Sequence, residues 1–190
     1  MSDWGAGRYE TTAAELAPVA EVVVQRAGVG PGDVVADLAC GTGNAALAEI
    51  ARILRPAGRA FVTAWIPAGP IDAMLGAVGR IMARVAPGDR APRFAWSDPD
   101  AVGPVARDAG LVLAGTERAE LAIRAASPDA YVDAGAEHPM ALAMRPALDR
   151  AGVAEEAREA MVAVLRDANE DAAGFLVHSP YVIHELRRAG

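Results

Sequence analysis

The segment from Val34 to Asn44 constrains the fold of this chain more than any other. It reads Val-Val-Ala-Asp-Leu-Ala-Cys-Gly-Thr-Gly-Asn, an apolar run that meets an acidic residue and then a glycine loop. The residues from Val34 to Leu38 suit a buried parallel strand, and the apolar residues after Asn44 recur at helical spacing. The sequence therefore predicts a strand, a tight loop and a helix in succession.

The loop has the features of a ligand-binding turn. Gly41 and Gly43 permit positive φ and let the backbone approach a ligand closely, because neither carries a Cβ. The free N–H groups at the start of the helix would offer hydrogen-bond donors at the positive end of the helix dipole. Asp37, at the carboxyl end of the strand, is placed to order the loop or to accept hydrogen bonds from a cationic group. Together these residues predict a nucleoside-cofactor site.

Two families of cofactor-binding proteins use a turn of this kind. The nicotinamide and flavin fingerprint G-x-G-x-x-G/A is met by Gly41, Gly43 and Ala46, but the ribose-binding acid expected about 20 residues later is absent. The string Asp37-Leu-Ala-Cys-Gly-Thr-Gly-Asn44 instead closely resembles the first motif of class I S-adenosylmethionine-dependent methyltransferases. In that family an acid stands a few residues before the G-x-G.

The resemblance extends to the N-terminal segment. Trp4 to Glu10, followed by a helix at Leu16, resembles the start of small-molecule methyltransferases, in which an aromatic residue often lies over the cofactor. The resemblance implies that the cofactor is S-adenosylmethionine. The residues that it places at the cofactor are Tyr9, Asp37, Ala39, Cys40, Gly41, Thr42 and Gly43.

Three later segments resemble strands near the end of the same fold. Glu49 to Gly58 resembles the helix and turn that lead into the fifth strand, with Ala57 where glycine is commoner, and Ala60 to Trp65 resembles that strand. Leu111 to Arg124 and Tyr181 to Arg187 resemble the closing antiparallel strands. The resemblance thus implies an α/β, Rossmann-like methyltransferase fold.

The middle of the family's fold is missing from this sequence. In the family, several strand and helix units supply a carboxylate for the ribose hydroxyls, a polar residue for the adenine and a strand that faces the substrate. Here Glu49 is the only acid between Asp37 and Asp72, and it lies on the predicted helix. We therefore expect a shortened sheet in which Arg59–Trp65 lies parallel to Val34–Ala39 through one right-handed crossover.

The other elements follow from helical spacing and from capping or breaking residues. Helices are expected at residues 12–27, 71–85, 97–109 and 153–168, and the last strand at 181–186. Residues 127–170 form a helical insert before the last strand, which Pro139 and Pro146 are expected to break. Its apolar stripe suits a lid over a pocket, part of the core, or a dimer face. The stripe consists of Met140, Leu142, Met144, Leu148, Met161 and Leu165.

Length and composition predict one domain of 190 residues, with 53% apolar residues available for a single core. The sequence has no apolar run of about 18 residues and no signal-peptide pattern, so we expect a cytoplasmic protein without a membrane segment. The single cysteine, Cys40, excludes an internal disulfide and supplies too little sulfur for a zinc site, so no metal is expected.

The charge of the chain argues against a polyanionic partner. The net charge is −7, and every positive charge is an arginine because the sequence contains no lysine. A nucleic-acid partner normally requires a basic face, so a small-molecule acceptor is expected instead. Arg80, Arg84, Arg90 and Arg93 form a modest basic cluster, which either faces an anionic acceptor or is a solvated helix surface.

The sequence therefore predicts S-adenosylmethionine-dependent methyl transfer to a small molecule, with no catalytic residue that can be named. The alternatives are a non-catalytic remnant that acts through its surface, and an edited or misassembled gene. His138, His178 and His184 have no metal-ligand spacing and are expected to have structural or surface roles. A homodimer is expected, because the loss of strands from one side of a sheet leaves an edge exposed.

Overall fold

A computed structural model describes residues 10–36, 44–88 and 94–189 of the chain. The helices are α1 (Glu10–Ala27), α2 (Asn44–Ile53), α3 (Pro70–Val85), α4 (Pro99–Asp108), α5 (Pro128–Ala134), α6 (Pro139–Ala151) and α7 (Ala154–Asp167), with a 3₁₀ turn at Gly135–Glu137. The strands are β1 (Arg59–Trp65), β2 (Leu111–Ala125) and β3 (Phe175–Arg188). The predicted mixed α/β class is confirmed. None of the helices in these three ranges has the length and apolar character needed to cross a membrane.

The three strands form one antiparallel sheet in the order β1-β3-β2. The pairing of β1 with β3 runs from Arg59 opposite Arg187 to Trp65 opposite Tyr181. This arrangement confirms the prediction that the last two strands are antiparallel. β3 begins at Phe175, earlier than predicted. Pro180 does not interrupt β3, and its carbonyl accepts a hydrogen bond from the N–H of Ile66 at 3.0 Å, one residue past the end of β1.

The predicted buried parallel strand at Val34–Leu38 is wrong for the residues that the structure describes. Residues 34–36 have no regular secondary structure, and Val34 and Val35 are 78% and 63% exposed. β-branched residues favour a strand only where the backbone finds a pairing neighbour, and these residues have none. The expected parallel pairing with Arg59–Trp65 is therefore not formed by 34–36, and the rest of that segment lies outside the described residues.

The chain divides into two compact units. We name them the helical unit (residues 1–17, 67–91 and 120–179) and the sheet unit (residues 18–66, 92–119 and 180–190). Both β2 and β3 contribute residues to each unit.

The core of the helical unit forms where α7 packs against α3, α5 and α6. Its buried helical residues are Met74, Ala77, Val78, Ile81, Pro128, Val132, Pro139, Ala157, Val162 and Leu165. Leu165 is fully buried, so this member of the predicted apolar stripe belongs to the core. The other five members of the stripe are half-buried.

The prolines of the insert have different effects on its helices. Pro139 begins α6 after a 3₁₀ turn, which confirms the predicted break there. Pro146 lies inside α6, so the second predicted break is wrong. A proline removes one helical hydrogen bond. The turns of α6 on either side of Pro146 remain helical despite this loss. The carbonyl of Pro146 accepts a hydrogen bond from Arg150 Nε at 2.9 Å.

The core of the sheet unit lies on one face of the sheet. Leu47, Ile50, Ala106, Leu111 and Leu186 form a buried cluster contributed by α2, α4, β2 and β3. Side chains alternate between the faces of a strand, so the register of β1 and β3 determines which residues share this face. The even-numbered residues of β1 and of the paired part of β3 face the cluster. The odd-numbered residues face the opposite side.

The turn that leads into β1 has an unusual backbone. Gly58 N–H donates to the carbonyl of Arg55 at 2.8 Å, which closes a four-residue turn with Pro56 in its second position. Ala57, in the third position, has φ 62°. These features define a type II turn, whose third position favours glycine. A Cβ on Gly58 would lie 2.8 Å from the carbonyl oxygen of Arg55, so only glycine fits there.

Candidate functional site

The predicted cofactor residues lie outside the described part of the chain. This holds for Tyr9, Asp37, Ala39, Cys40, Gly41, Thr42 and Gly43. The structure does describe the segments on either side of the loop. α2 begins at Asn44, where the sequence predicted a helix start, and residues 33–36 are exposed. The motif is therefore followed by the predicted helix, but the described residues before it are not the predicted strand.

The sheet unit carries a cleft of about 220 Å³ on the face of the sheet opposite the core. Phe61 and Ile183 contribute its apolar surface, and Glu185 follows on the same face of β3. The full set of lining residues is Arg26, Phe61, Gly115, Thr116, Glu117, Ile183 and Glu185. The cleft therefore combines an aromatic ring, an aliphatic side chain and charges of both signs.

The charges around this cleft are paired with one another. Arg26, near the end of α1, forms an ion pair with Glu117, and Arg187 Nη2 lies 2.8 Å from Glu185 Oε1. The guanidinium of Arg59 lies 5.5 Å from the centre of the Phe61 ring, a cation–π arrangement, and donates to the carbonyl of Ala27. A ligand that binds in this cleft would have to compete with these internal pairs.

Tyr181 lies on the same face of the sheet, next to the exposed ring of Trp65. The two ring centres are 5.7 Å apart, in an edge-to-face arrangement. Burial raises the pKa of the Tyr181 hydroxyl, the carboxylate of Glu117 raises it further, and Arg26 opposes both effects. Tyr181 is therefore held in its neutral form and can serve as a hydrogen-bond donor.

His184 is a fully buried polar residue on the core face of the sheet. Its Nε2 lies 2.8 Å from the carbonyl oxygen of Trp96, and its Nδ1 lies 2.8 Å from Thr116 Oγ1. A carbonyl can only accept, so Nε2 carries a hydrogen. In the neutral ring Nδ1 is then an acceptor, and the Thr116 hydroxyl donates to it. Both ring nitrogens are satisfied, which allows the imidazole to be buried.

The bond to His184 also reveals an irregularity in β2. Leu111 and Leu113 pack with Leu186 on the core face, and Thr116 bonds to His184 on that same face. Strict alternation would place odd-numbered and even-numbered residues on opposite faces. Thr116, three residues after Leu113, therefore departs from strict alternation.

The helical unit contains a half-buried acid beside a tyrosine. Tyr131 Oη donates to Glu15 Oε1 at 3.3 Å, and the Tyr131 ring lies 5.3 Å from that of Phe175. Burial raises the pKa of Glu15, and the hydrogen bond from Tyr131 lowers it in part. Burial and the nearby carboxylate of Glu15 raise the pKa of Tyr131 above its usual value. Among the described acids, Glu15 is thus the one whose surroundings most clearly favour the neutral form.

Arginines on the surface of the helical unit are engaged in ion pairs. Arg158 Nε donates to Asp133 at 2.8 Å, and the same guanidinium reaches Asp129 and Glu155. Arg84 donates to both carboxylate oxygens of Glu156 at 2.7 Å. Arg84 is thus taken up by an internal partner, which weakens the prediction that the basic cluster faces an anionic acceptor. Arg80 is exposed, and Arg90 and Arg93 lie outside the described residues.

The remaining histidines have local structural roles, as the sequence predicted. His138 Nδ1 accepts from the N–H of Met140 at 3.2 Å and so caps the start of α6. His178 Nδ1 lies 3.0 Å from the carboxylate of Glu170. Neither residue lines the cleft of the sheet unit.

Sequence reasoning did not identify the cleft, because its residues come from four separate segments of the chain. One signal was present in β2, where the consecutive polar residues Thr116, Glu117 and Arg118 interrupt the apolar alternation. Such an interruption indicates an irregular strand position. It does not indicate which distant residues will meet there.

No protein-family model matches this chain, and a search of curated proteins finds no match either.

Proposed function

We propose that this protein is an S-adenosylmethionine-dependent methyltransferase that acts on a small-molecule acceptor in the cytoplasm. The observation that carries the proposal is the string from Asp37 to Asn44, which combines an acid, a G-x-G loop and a helix start. The start of α2 at Asn44 supports it, since the helix begins directly after the loop. The acidic net charge of −7 supports a small acceptor over a nucleic acid.

We propose a shortened Rossmann-like fold as the architecture. Its support is that the segments resembling the fifth strand and the two closing strands form one sheet, as β1, β2 and β3. The helical insert, with α5 to α7, would then contribute to the choice of acceptor. A parallel strand before the glycine loop is the part of this proposal that the described residues 34–36 do not support.

In this proposal the chain acts mainly by orientation. Asp37 and the backbone from Ala39 to Gly43 would hold the amino-acid part of the cofactor, and Tyr9 would cover it. The cofactor supplies an electrophilic methyl group on a sulfonium sulfur. A chain that aligns the acceptor atom with this methyl group lowers the entropic part of the barrier and needs no covalent enzyme intermediate.

Titration with S-adenosylmethionine and with S-adenosylhomocysteine, followed by calorimetry, tests the cofactor assignment directly. We expect weak binding, because a lost hydrogen bond to a charged partner is worth about 1.5–3 kcal/mol, or about ten- to hundredfold in affinity. Gly41→Val should abolish the binding by placing a side chain where the ligand approaches. Gly88→Val is the matched control, since a Cβ there meets nothing within 4 Å. Submicromolar binding would contradict the expectation of a weakened site.

The alternative function is that of a non-catalytic remnant that keeps the sheet and acts through its surface. The exposed residues Val34 and Val35 favour it, because residues 34–36, where the strand before the proposed cofactor loop should begin, have no regular secondary structure. No heat signal with either ligand at millimolar concentration, from a chain that melts cooperatively, would establish the alternative over the enzyme.

A further inference from the structure

The two edges of the sheet differ in how they are protected. In the order β1-β3-β2, β1 and β2 each have one neighbour among the described residues. Native sheets protect their edges with charged side chains and bulges, which prevent pairing with another chain. β2 has the first kind of protection, because it carries exposed charged residues. These residues are Glu117, Arg118, Glu120 and Arg124.

β1 lacks this protection. Its only charged residue is Arg59, at one end, and the residues from Ala60 to Trp65 are all uncharged. Thr63 and Trp65 are exposed, with 47% of the surface of Trp65 accessible. The apolar residues Val34 and Val35 do not cover it, because they are exposed and outside any strand. Within residues 10–36, 44–88 and 94–189, β1 is therefore the edge at which another strand can add.

We propose that β1 pairs antiparallel with β1 of a second copy of this chain, around a two-fold axis at Val62. Antiparallel strands pair residues that share a face. A centre at Val62 is the one that pairs all seven residues of the strand. It sets Ala60 opposite Ala64 and Phe61 opposite Thr63 of the second copy, and it joins the two sheets into one of six strands.

The same register is complementary in charge. It places Arg59 of each copy opposite Trp65 of the other, on the face that carries Phe61. A guanidinium against an indole ring is a favourable cation–π pair, and tryptophan is the best partner for it. No like charges are opposed at any position of the strand, because Arg59 is its only charged residue. The strand is thus self-complementary, as a two-fold interface requires.

Sedimentation velocity over a range of micromolar concentrations tests the pairing. We expect the unmodified chain to dimerise and Thr63→Lys to be monomeric at the same concentrations. The substituted side chain would lie diagonally across from Arg59 of the second copy and from that copy's own substituted lysine, and like charges across strands repel. Val112→Lys is the matched control, since Val112 is an exposed residue, 46% accessible, on the other edge strand, and this variant should still dimerise.

A cysteine cross-link tests the register. In a Cys40→Ser background, Val62→Cys should form a disulfide-linked dimer on mild oxidation, because the two residues meet on the axis. Thr63→Cys should cross-link far less, because it faces Phe61 of the second copy. Thermal melting of each variant checks that it remains folded.

Three results would overturn the proposal. The first is an unmodified chain that stays monomeric at about 0.1 mM, a concentration at which a dimer with a micromolar dissociation constant would be almost fully formed. The second is a dimer that survives Thr63→Lys in a folded chain. The third is a dimer that Val112→Lys disrupts while Thr63→Lys does not, which would assign the interface to β2.

Discussion

The helical unit and the sheet unit differ in where their polar side chains lie. In the helical unit the buried helical residues are all apolar, and the ion pairs of Arg158 and Arg84 lie on the surface. In the sheet unit a histidine is fully buried within an otherwise apolar face and is held by two hydrogen bonds. The helices of the first unit bury apolar side chains against one another, whereas the core face of the second also has to meet the hydrogen-bond geometry of one fully buried side chain.

The largest expected effect comes from a cavity in either core. Leu165 and Leu186 are both fully buried, one in each unit. Leu165→Ala and Leu186→Ala should each lower the free energy of unfolding by about 2–5 kcal/mol, because a leucine truncation loses packing and leaves a void. Hydrogen exchange should show lost protection in the unit that carries the substitution. Equal loss of protection in both units from either variant would show that they unfold together.

A second prediction concerns the hydrogen bond that supports His184. Thr116→Val removes the hydroxyl from Nδ1, and an unsatisfied buried acceptor costs about 1–3 kcal/mol. Thr116→Ser keeps the hydroxyl and is the control, and it should recover most of the lost stability. Urea unfolding measures both. If the valine variant is as stable as the serine variant, the bond contributes nothing to the fold and the contrast between the units fails.

The third prediction uses the raised pKa of Glu15. The folded chain holds this proton more tightly than the unfolded chain, whose pKa is near 4.5. The contribution to stability is therefore complete below that value and is lost as the pH rises through the higher folded pKa. Glu15→Gln stays neutral, so its stability relative to the unmodified chain should improve from about pH 4 to pH 7. Parallel urea-unfolding profiles for the two chains would contradict this.

The smallest effect should come from the surface ion pairs. Arg158→Gln removes contacts to Asp133, Asp129 and Glu155, but exposed pairs contribute little and are screened by salt. We expect a smaller loss of stability than for either leucine variant, and a difference that diminishes as salt rises from about 0.05 M to about 0.5 M. Leu165→Ala, measured in the same salts, should show no such convergence. A salt-independent loss would indicate that the aliphatic part of Arg158 is what matters.

The sequence allowed the helices to be predicted well, because their apolar spacing and their caps are local signals. The predicted helix at 71–85 and the observed α3 (Pro70–Val85) agree at both ends within one residue. The predicted strand at Val34 was wrong over residues 34–36 because a strand needs a pairing neighbour, and local pattern does not reveal whether one exists. The break predicted at Pro146 was wrong, because a proline removes one helical hydrogen bond and α6 remains helical on both sides of it.

The glycine motif and the Thr116–His184 contact differ in the same way, because only the first is a local feature of the sequence. The glycine motif is a contiguous string and could be recognised in the sequence, and its cofactor assignment stays a prediction. The bond between Thr116 and His184 joins residues 68 positions apart, and only a run of polar residues in β2 marks the place in the sequence. Contacts of this kind depend on strand register, which a single sequence does not specify.

The turn before β1 offers a place where the loss of one methyl group should make the folded protein more stable. Ala57 adopts φ 62°, a left-handed conformation in which a Cβ is strained by about 1–2 kcal/mol. The chain carries this cost at a position that contacts no proposed ligand. Ala57→Gly would relieve it, at the expense of a more flexible unfolded chain, which offsets about 0.4–1 kcal/mol. Ala57→Gly is thus a suitable first substitution where crystallisation or binding assays require a more stable protein.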